Sequence, residues 1–224
     1  GLYDLTELQR DANKRYGFSA KETLNIMQRL YEHHKVLTYP RTDSRYIGSD
    51  IVPTIKERLK ACNIGPYKAY IPALLKAPIC TSKAFVDDKK VSDHHAIIPT
   101  EEYVQLDHMS NEERKIYDLV VRRFIGVLYP AYEYEQTTMK AAVQTSAKPS
   151  VATAVFGAKG QIVLKEGWKA VYDNMSLDEE EEDKSGDQLR LAGQQLPTLK
   201  KGQEVDISQI MRSQGKTKPP ARFT

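Results

Sequence analysis

Cysteine is scarce. Only Cys62 and Cys80 occur in 224 residues, and they form no C-x-x-C pair. That argues against a zinc ribbon or a disulfide framework and points to a reducing, cytosolic setting. No run of eighteen apolar residues is present, so no segment reads as a membrane span, and the N-terminus lacks a signal-peptide pattern. No internal repeat is visible. The contiguous acids Asp178-Glu179-Glu180-Glu181-Glu182-Asp183 lack the glycine spacing of a calcium loop. They read as part of a solvated acidic loop over 173–187, and no metal site is expected in the chain.

What is present is the composition of a soluble globular protein, 40% hydrophobic and 28% charged, with room for one large domain or two ordinary ones. The net charge of +3 hides an asymmetry: without the acidic block, 33 basic residues face 24 acidic ones. A basic body with a separate acidic loop is compatible with nucleic-acid binding through phosphate neutralisation.

The first half reads as helical. Asp4 or Thr6 caps a helix carrying Leu5, Leu8 and Ala12, which stops near Tyr16 and Gly17. Ser19-Ala20-Lys21-Glu22 is a capping box opening a second helix, whose stripe of Leu24, Met27, Leu30 and Tyr31 faces the core. Ser49 or Asp50 caps a third, with Val52, Ile55, Leu59 and Cys62 inside and Pro53 in its first turn. A shorter helix spans 67–76, residues 79–100 are loop, and Ser110-Asn111-Glu112-Glu113 opens a helix ending at Tyr129-Pro130. Beyond it the composition turns to β formers, with strands predicted at 132–138, 151–156, 161–164 and 205–210 and a turn at 157–160. The fold class expected is α+β: a helical domain, then a β-rich one.

One stretch carries chemistry. Tyr39 precedes Pro40, which pushes it out of the α region into an extended or turning segment. Arg41, two residues on, shares its side if that segment is extended. A phenol beside a guanidinium suits attack on a phosphodiester, the phenol as nucleophile and the guanidinium gripping phosphate oxygens.

Three motifs occur in order: Tyr39-Pro40-Arg41-Thr42-Asp43-Ser44-Arg45-Tyr46, His94-His95-Ala96-Ile97-Ile98-Pro99-Thr100 and Pro219-Pro220-Ala221-Arg222-Phe223-Thr224. Together they resemble the type IA DNA topoisomerases, with the finer match to the bacterial topoisomerase III branch. The resemblance covers essentially the whole chain. It implies a winged-helix-like helical domain at 13–129 carrying the catalytic tyrosine and a β-rich hinge or gate domain at 130–215. Residues 1–12 would connect from the β-rich domain, and 216–224 would start a further helical domain.

The resemblance also implies a mechanism. Tyr39 would cleave single-stranded DNA by transesterification, leaving a 5′-phosphotyrosine and a 3′-hydroxyl, with strand passage and religation needing no ATP. Arg41 and His94 would be its catalytic partners at the phosphate. Thr42, Ser44, Arg45, His95, Lys89, Lys90 and Arg222 would lie along the DNA, with Thr42, Asp43 and Ser44 also bracing the tyrosine turn. Magnesium would belong to a Toprim domain, of which no D-x-D motif is found here, so this stretch is expected to hold half of an active site and to be inactive alone. The remaining domains of the same enzyme would be its partners, the piece itself would be monomeric, and the setting would be the bacterial cytoplasm and nucleoid. Two rivals are a tyrosine recombinase, whose tyrosine comes late and forms a 3′-phosphotyrosine, and a non-enzymatic winged-helix-like DNA-binding module.

Overall fold

The computed structural model describes residues 1–145, 152–172, 196, 199–212 and 214–217. Five α-helices precede a two-stranded antiparallel sheet: α1 (Leu5–Tyr16), α2 (Ala20–Glu32), α3 (Ile55–Ala61), α4 (Ile71–Lys76), α5 (Asn111–Leu128), β1 (Glu133–Thr145) and β2 (Ala152–Lys165). The chain divides into two compact units, residues 1–133 with 165–184, and residues 134–164 with 185–224.

The helix boundaries follow local chemistry. The Asp4 carboxylate accepts the Glu7 N–H at 2.7 Å and opens α1. Gly17 ends it at φ 73°, a left-handed position that glycine adopts without a Cβ penalty. Ser19 and Ser110 form complete capping boxes with Glu22 and Glu113, each cap contributing about 1 kcal/mol. The third helix departs from expectation: neither Ser49 nor Asp50 caps it, and a single 3₁₀ turn at Val52–Thr54 holding Pro53 leads into α3. A second 3₁₀ turn at Gly65–Ala69 similarly takes the front of the helix expected over 67–76.

The helical unit is built on α5, which buries Ile116, Tyr117, Val120, Phe124 and Ile125 against α1, α2 and a 3₁₀ turn at Gly167–Tyr172. That turn is where the chain returns from β2. Gly167 is at φ 50°, and a Cβ there would lie 2.3 Å from the Ala131 carbonyl oxygen, so no other residue fits. The buried Arg122 guanidinium donates to the Val171 carbonyl, and its Nε meets the Asp118 carboxylate at 2.9 Å, which also accepts the Tyr67 hydroxyl at 3.0 Å. A half-buried cation, Arg123, lies over the Tyr3 ring and pairs with Asp11 at 3.1 Å. Burial pushes the Tyr3, Tyr67 and Tyr117 phenols well up, so they remain neutral core groups.

The described secondary structure of the second unit is the antiparallel pair β1 and β2. β2 runs unbroken through Gly157 and Gly160, where the sequence predicts a turn. Neither glycine adopts positive φ, which a tight hairpin turn would need, and pairing with β1 holds the segment extended. The strand expected at 205–210 does not form. Those residues are exposed and unladdered, because β formers make a strand only where a partner supplies hydrogen bonds. The acidic block at 178–183 lies outside the described residues.

Candidate active site

Helix α2 delivers the chain into the tyrosine segment. Its buried face is Thr23, Ile26, Met27 and Leu30, which leaves Tyr31 at 38% exposure instead of in the core. Its last turn is fixed to the start of α5 by Arg29, whose Nε lies 2.7 Å from Glu113 Oε1, while Glu113 Oε2 accepts the Ser110 N–H at 2.9 Å. Burial raises the Glu113 carboxyl, but the Arg29 hydrogen bond, the Ser110 N–H and the nearby His34 and Arg29 charges outweigh it and hold the pKa below the ordinary range. The chain then turns through Lys35 at φ 57°, the one non-glycine residue with positive φ among those described.

Residues 36–47 run as irregular extended chain, as the proline at 40 predicts for Tyr39. They lie against the segment 94–100. Leu37 bridges Pro99 in antiparallel fashion, and the Thr38 N–H donates to the Ile98 carbonyl at 3.0 Å. Thr100 N–H donates to Val36 at 3.0 Å, and Ala96 N–H to Tyr46 at 2.8 Å. The far side of the histidine segment is tied to the N-terminus, with Ile97 N–H on the Tyr3 carbonyl at 2.8 Å. Buried Arg58 closes its end, donating to the Pro99 carbonyl at 2.7 Å and pairing with Glu101 at 2.8 Å.

This pairing sets two rings together. Tyr39 and His94 have ring centroids 4.4 Å apart at 41°, and Tyr31 meets Tyr39 edge-on at 5.5 Å and 78°. Tyr39 is half-buried and His94 exposed. Both line an open cleft of about 250 Å³ with Thr38, Gly48, Asp50, Val91, Asp93 and His95. His95 is half-buried, and its Nδ1 lies 2.7 Å from the Ala96 carbonyl. A carbonyl only accepts, so Nδ1 carries the hydrogen and Nε2 is left for another partner.

The other sequence-predicted residues fall into two groups. Arg41 is exposed, makes no hydrogen bond or ion pair to the described residues, and stands outside the cleft lining. Lys89 and Lys90 are also exposed; the Lys90 ammonium donates to the Tyr46 hydroxyl at 3.2 Å, a bond that raises its pKa. Thr42 and Ser44 are buried, with hydroxyls donating to the His94 carbonyl at 3.0 Å and the Lys90 carbonyl at 2.8 Å. Arg45 is half-buried and donates to the Leu2 carbonyl at 3.2 Å. Arg222 lies outside the described residues.

Sequence reasoning missed four residues at this site: Tyr31, Thr38, Asp50 and Asp93. Tyr31 sits four positions after Met27, which made it look like core; its place in the last turn of α2, just before the tyrosine segment, was the usable signal. Among the described residues no three imidazole, thiol or carboxylate groups gather as metal ligands.

The site thus sets a phenol against an imidazole at the wall of an open cleft. The family model for DNA topoisomerase matches residues 1–224. The chain is 56% identical over 223 residues to a DNA topoisomerase 3 of Bacillus cereus, covering 100% of this chain and 29% of that protein. It is 51% identical over 222 residues to the DNA topoisomerase 3 of Bacillus subtilis (strain 168), covering 99% and 28%. It thus spans less than a third of these curated relatives. Full-length topoisomerase I from Thermotoga maritima matches with a TM-score of 0.50 at 22% identity, over 76% of this chain and 26% of that one, a likeness of fold alone. Matched from its first residue to its last, the chain belongs to the DNA topoisomerase family.

Proposed function

We propose that in the complete enzyme Tyr39 is the nucleophile of a type IA topoisomerase acting on single-stranded DNA. The phenol oxygen forms a bond to phosphorus while the bond from phosphorus to the 3′-oxygen breaks. The phenol gives up its proton, the leaving 3′-oxygen takes one, and a 5′-phosphotyrosine remains. Religation is the reverse, and because the ester is conserved no ATP is consumed. An ordinary tyrosine titrates near ~10, so the developing phosphorane and the departing proton need help from neighbours. In this reading His94, packed on the Tyr39 ring, supplies a hydrogen bond at the phosphate, and Arg41, held by nothing else among the described residues, forks onto its oxygens.

The observation that carries this reading is the Tyr39–His94 ring contact on the cleft wall. In this reading 13–129 is a winged-helix-like catalytic domain, 130–215 the hinge of a DNA gate, and magnesium is held by a Toprim domain of the complete protein. Residues 1–224 alone do not cleave. The enzyme works in the bacterial cytoplasm, relaxing or decatenating DNA.

The test is covalent capture by the full-length enzyme of an oligonucleotide labelled at one end or the other. Label at the 3′ end should stay with the protein, label at the 5′ end should not, and Tyr39→Phe should lose capture while still binding single strands. Retention of the 5′ label would instead mean recombinase chemistry. Capture surviving in Tyr39→Phe would move the nucleophile elsewhere.

A further inference from the structure

We infer that Thr38 and Thr42 form a hydroxyl clamp that sets the contact between Tyr39 and His94, which makes both threonines positioning residues for the cleavage step. The inference rests on the reading of Tyr39 as nucleophile.

The two threonines bracket residues 39–41, and each spends its hydroxyl hydrogen on a carbonyl of the histidine segment. Thr42 Oγ1 donates to the His94 carbonyl at 3.0 Å, and Thr38 Oγ1 donates to the Ala96 carbonyl at 3.3 Å. Both hydroxyls also accept. Thr38 Oγ1 takes the Ile98 N–H at 3.0 Å, and Thr42 Oγ1 takes the Ser44 N–H at 3.1 Å. Thr42 is 8% exposed, so its hydroxyl is committed to the fold and faces no solvent ligand. Between the clamp points no hydrogen bond holds the Tyr39 hydroxyl among the described residues, and the ring packs on the rings of Tyr31 and His94.

The clamp has one fixed jaw. The histidine segment is anchored independently of the tyrosine segment by Arg58 on the Pro99 carbonyl and by Ile97 N–H on Tyr3. Loss of a threonine hydroxyl therefore loosens the tyrosine side. Valine has the shape of threonine without the hydroxyl, so it removes the clamp while keeping the packing. A displacement of about 1 Å at a reacting group costs on the order of 100-fold in rate.

The test uses the full-length enzyme with saturating 3′-labelled single-stranded oligonucleotide, read as the single-turnover rate of covalent capture, beside Kd for the same strand and the thermal midpoint. Thr38→Val and Thr42→Val should each slow capture by about 10- to 100-fold. Kd should hold within about twofold, and Thr→Ser at the same positions should restore most of the rate, because serine keeps the hydroxyl. In a His94→Ala background Thr42→Val should add little, since the clamp sets the contact between Tyr39 and the His94 ring, which that background lacks. Valine variants that capture at the wild-type rate, or serine variants as slow as valine ones, would overturn the clamp. If Thr38→Val does not fold, the Thr42 pair decides alone. A wild-type enzyme giving no Tyr39 adduct would instead remove the nucleophile reading beneath it.

Discussion

The helical unit hides its large side chains, whereas the hairpin shows them. Tyr67, Tyr117 and Phe124 are buried around α5, while Val155, Phe156 and Leu164 on β2 stand in solvent, Phe156 at 60%. Every buried hydrophobic side chain among the described residues belongs to the helical unit. The candidate site follows the same division. Tyr39 and His94 sit on irregular chain, yet that chain is pinned at 37–38, 42, 96–98 and 100 to a close-packed body. A loop can hold reactive groups to within a fraction of an ångström when its backbone bonds are satisfied by a rigid neighbour. A two-stranded hairpin is marginal by itself.

The sharpest way to break this contrast is a matched pair of truncations. Phe124→Ala should destabilise residues 1–224 by about 3–5 kcal/mol in urea unfolding, through lost burial and a residual cavity. Phe156→Ala should change it by less than about 0.5 kcal/mol, as an exposed side chain does. Equal effects would mean the hairpin contributes to a shared core.

Next in size is Glu113, which joins the end of α2 to the start of α5. Its carboxyl is held below the ordinary range in the folded chain. A depressed acid stabilises fully above its unfolded pKa, and the contribution fades as pH falls through the folded value. Glu113→Gln should cost about 1 kcal/mol at neutral pH, with Arg29 partly exposed, and the difference from wild type should shrink below about pH 4. A pH-independent difference in unfolding free energy would assign the loss to the helix cap alone.

The smallest effect expected is a gain. Lys35 occupies a left-handed position, a conformation costing about 1 kcal/mol for a residue with a Cβ. Lys35→Gly should raise stability by about 0.5 kcal/mol after the extra chain entropy of glycine is subtracted. A lower unfolding midpoint would show that the lysine side chain contributes more than its backbone costs.

Much of the helical unit was legible because its signals are local. A carboxylate at Asp4, the capping boxes at Ser19 and Ser110, and Gly17 each satisfy or stop a helix end within three or four residues. Pro40 likewise announced a non-helical Tyr39. The β-rich region read less well. Gly157 and Gly160 look like a turn until a partner strand holds them extended, and 205–210 looks like a strand until no partner appears among the described residues. Strand formation depends on a neighbour, which local sequence does not contain.

The site divides along the same line. The sequence by itself determined the reactive vocabulary, a tyrosine before proline, an arginine two residues on and a histidine pair about fifty residues later, and with it the family. Only the tertiary structure decided which of these groups meet. It set Tyr39 on His94, turned Tyr31 out of the core to face them, left Arg41 in solvent and spent Thr38 and Thr42 on the histidine segment. Those contacts span 52 to 60 residues along the chain in their hydrogen bonds. Their formation requires the helical body to bring the two segments together first, because hydrogen bonds at such separation must offset the entropy of closing a long loop.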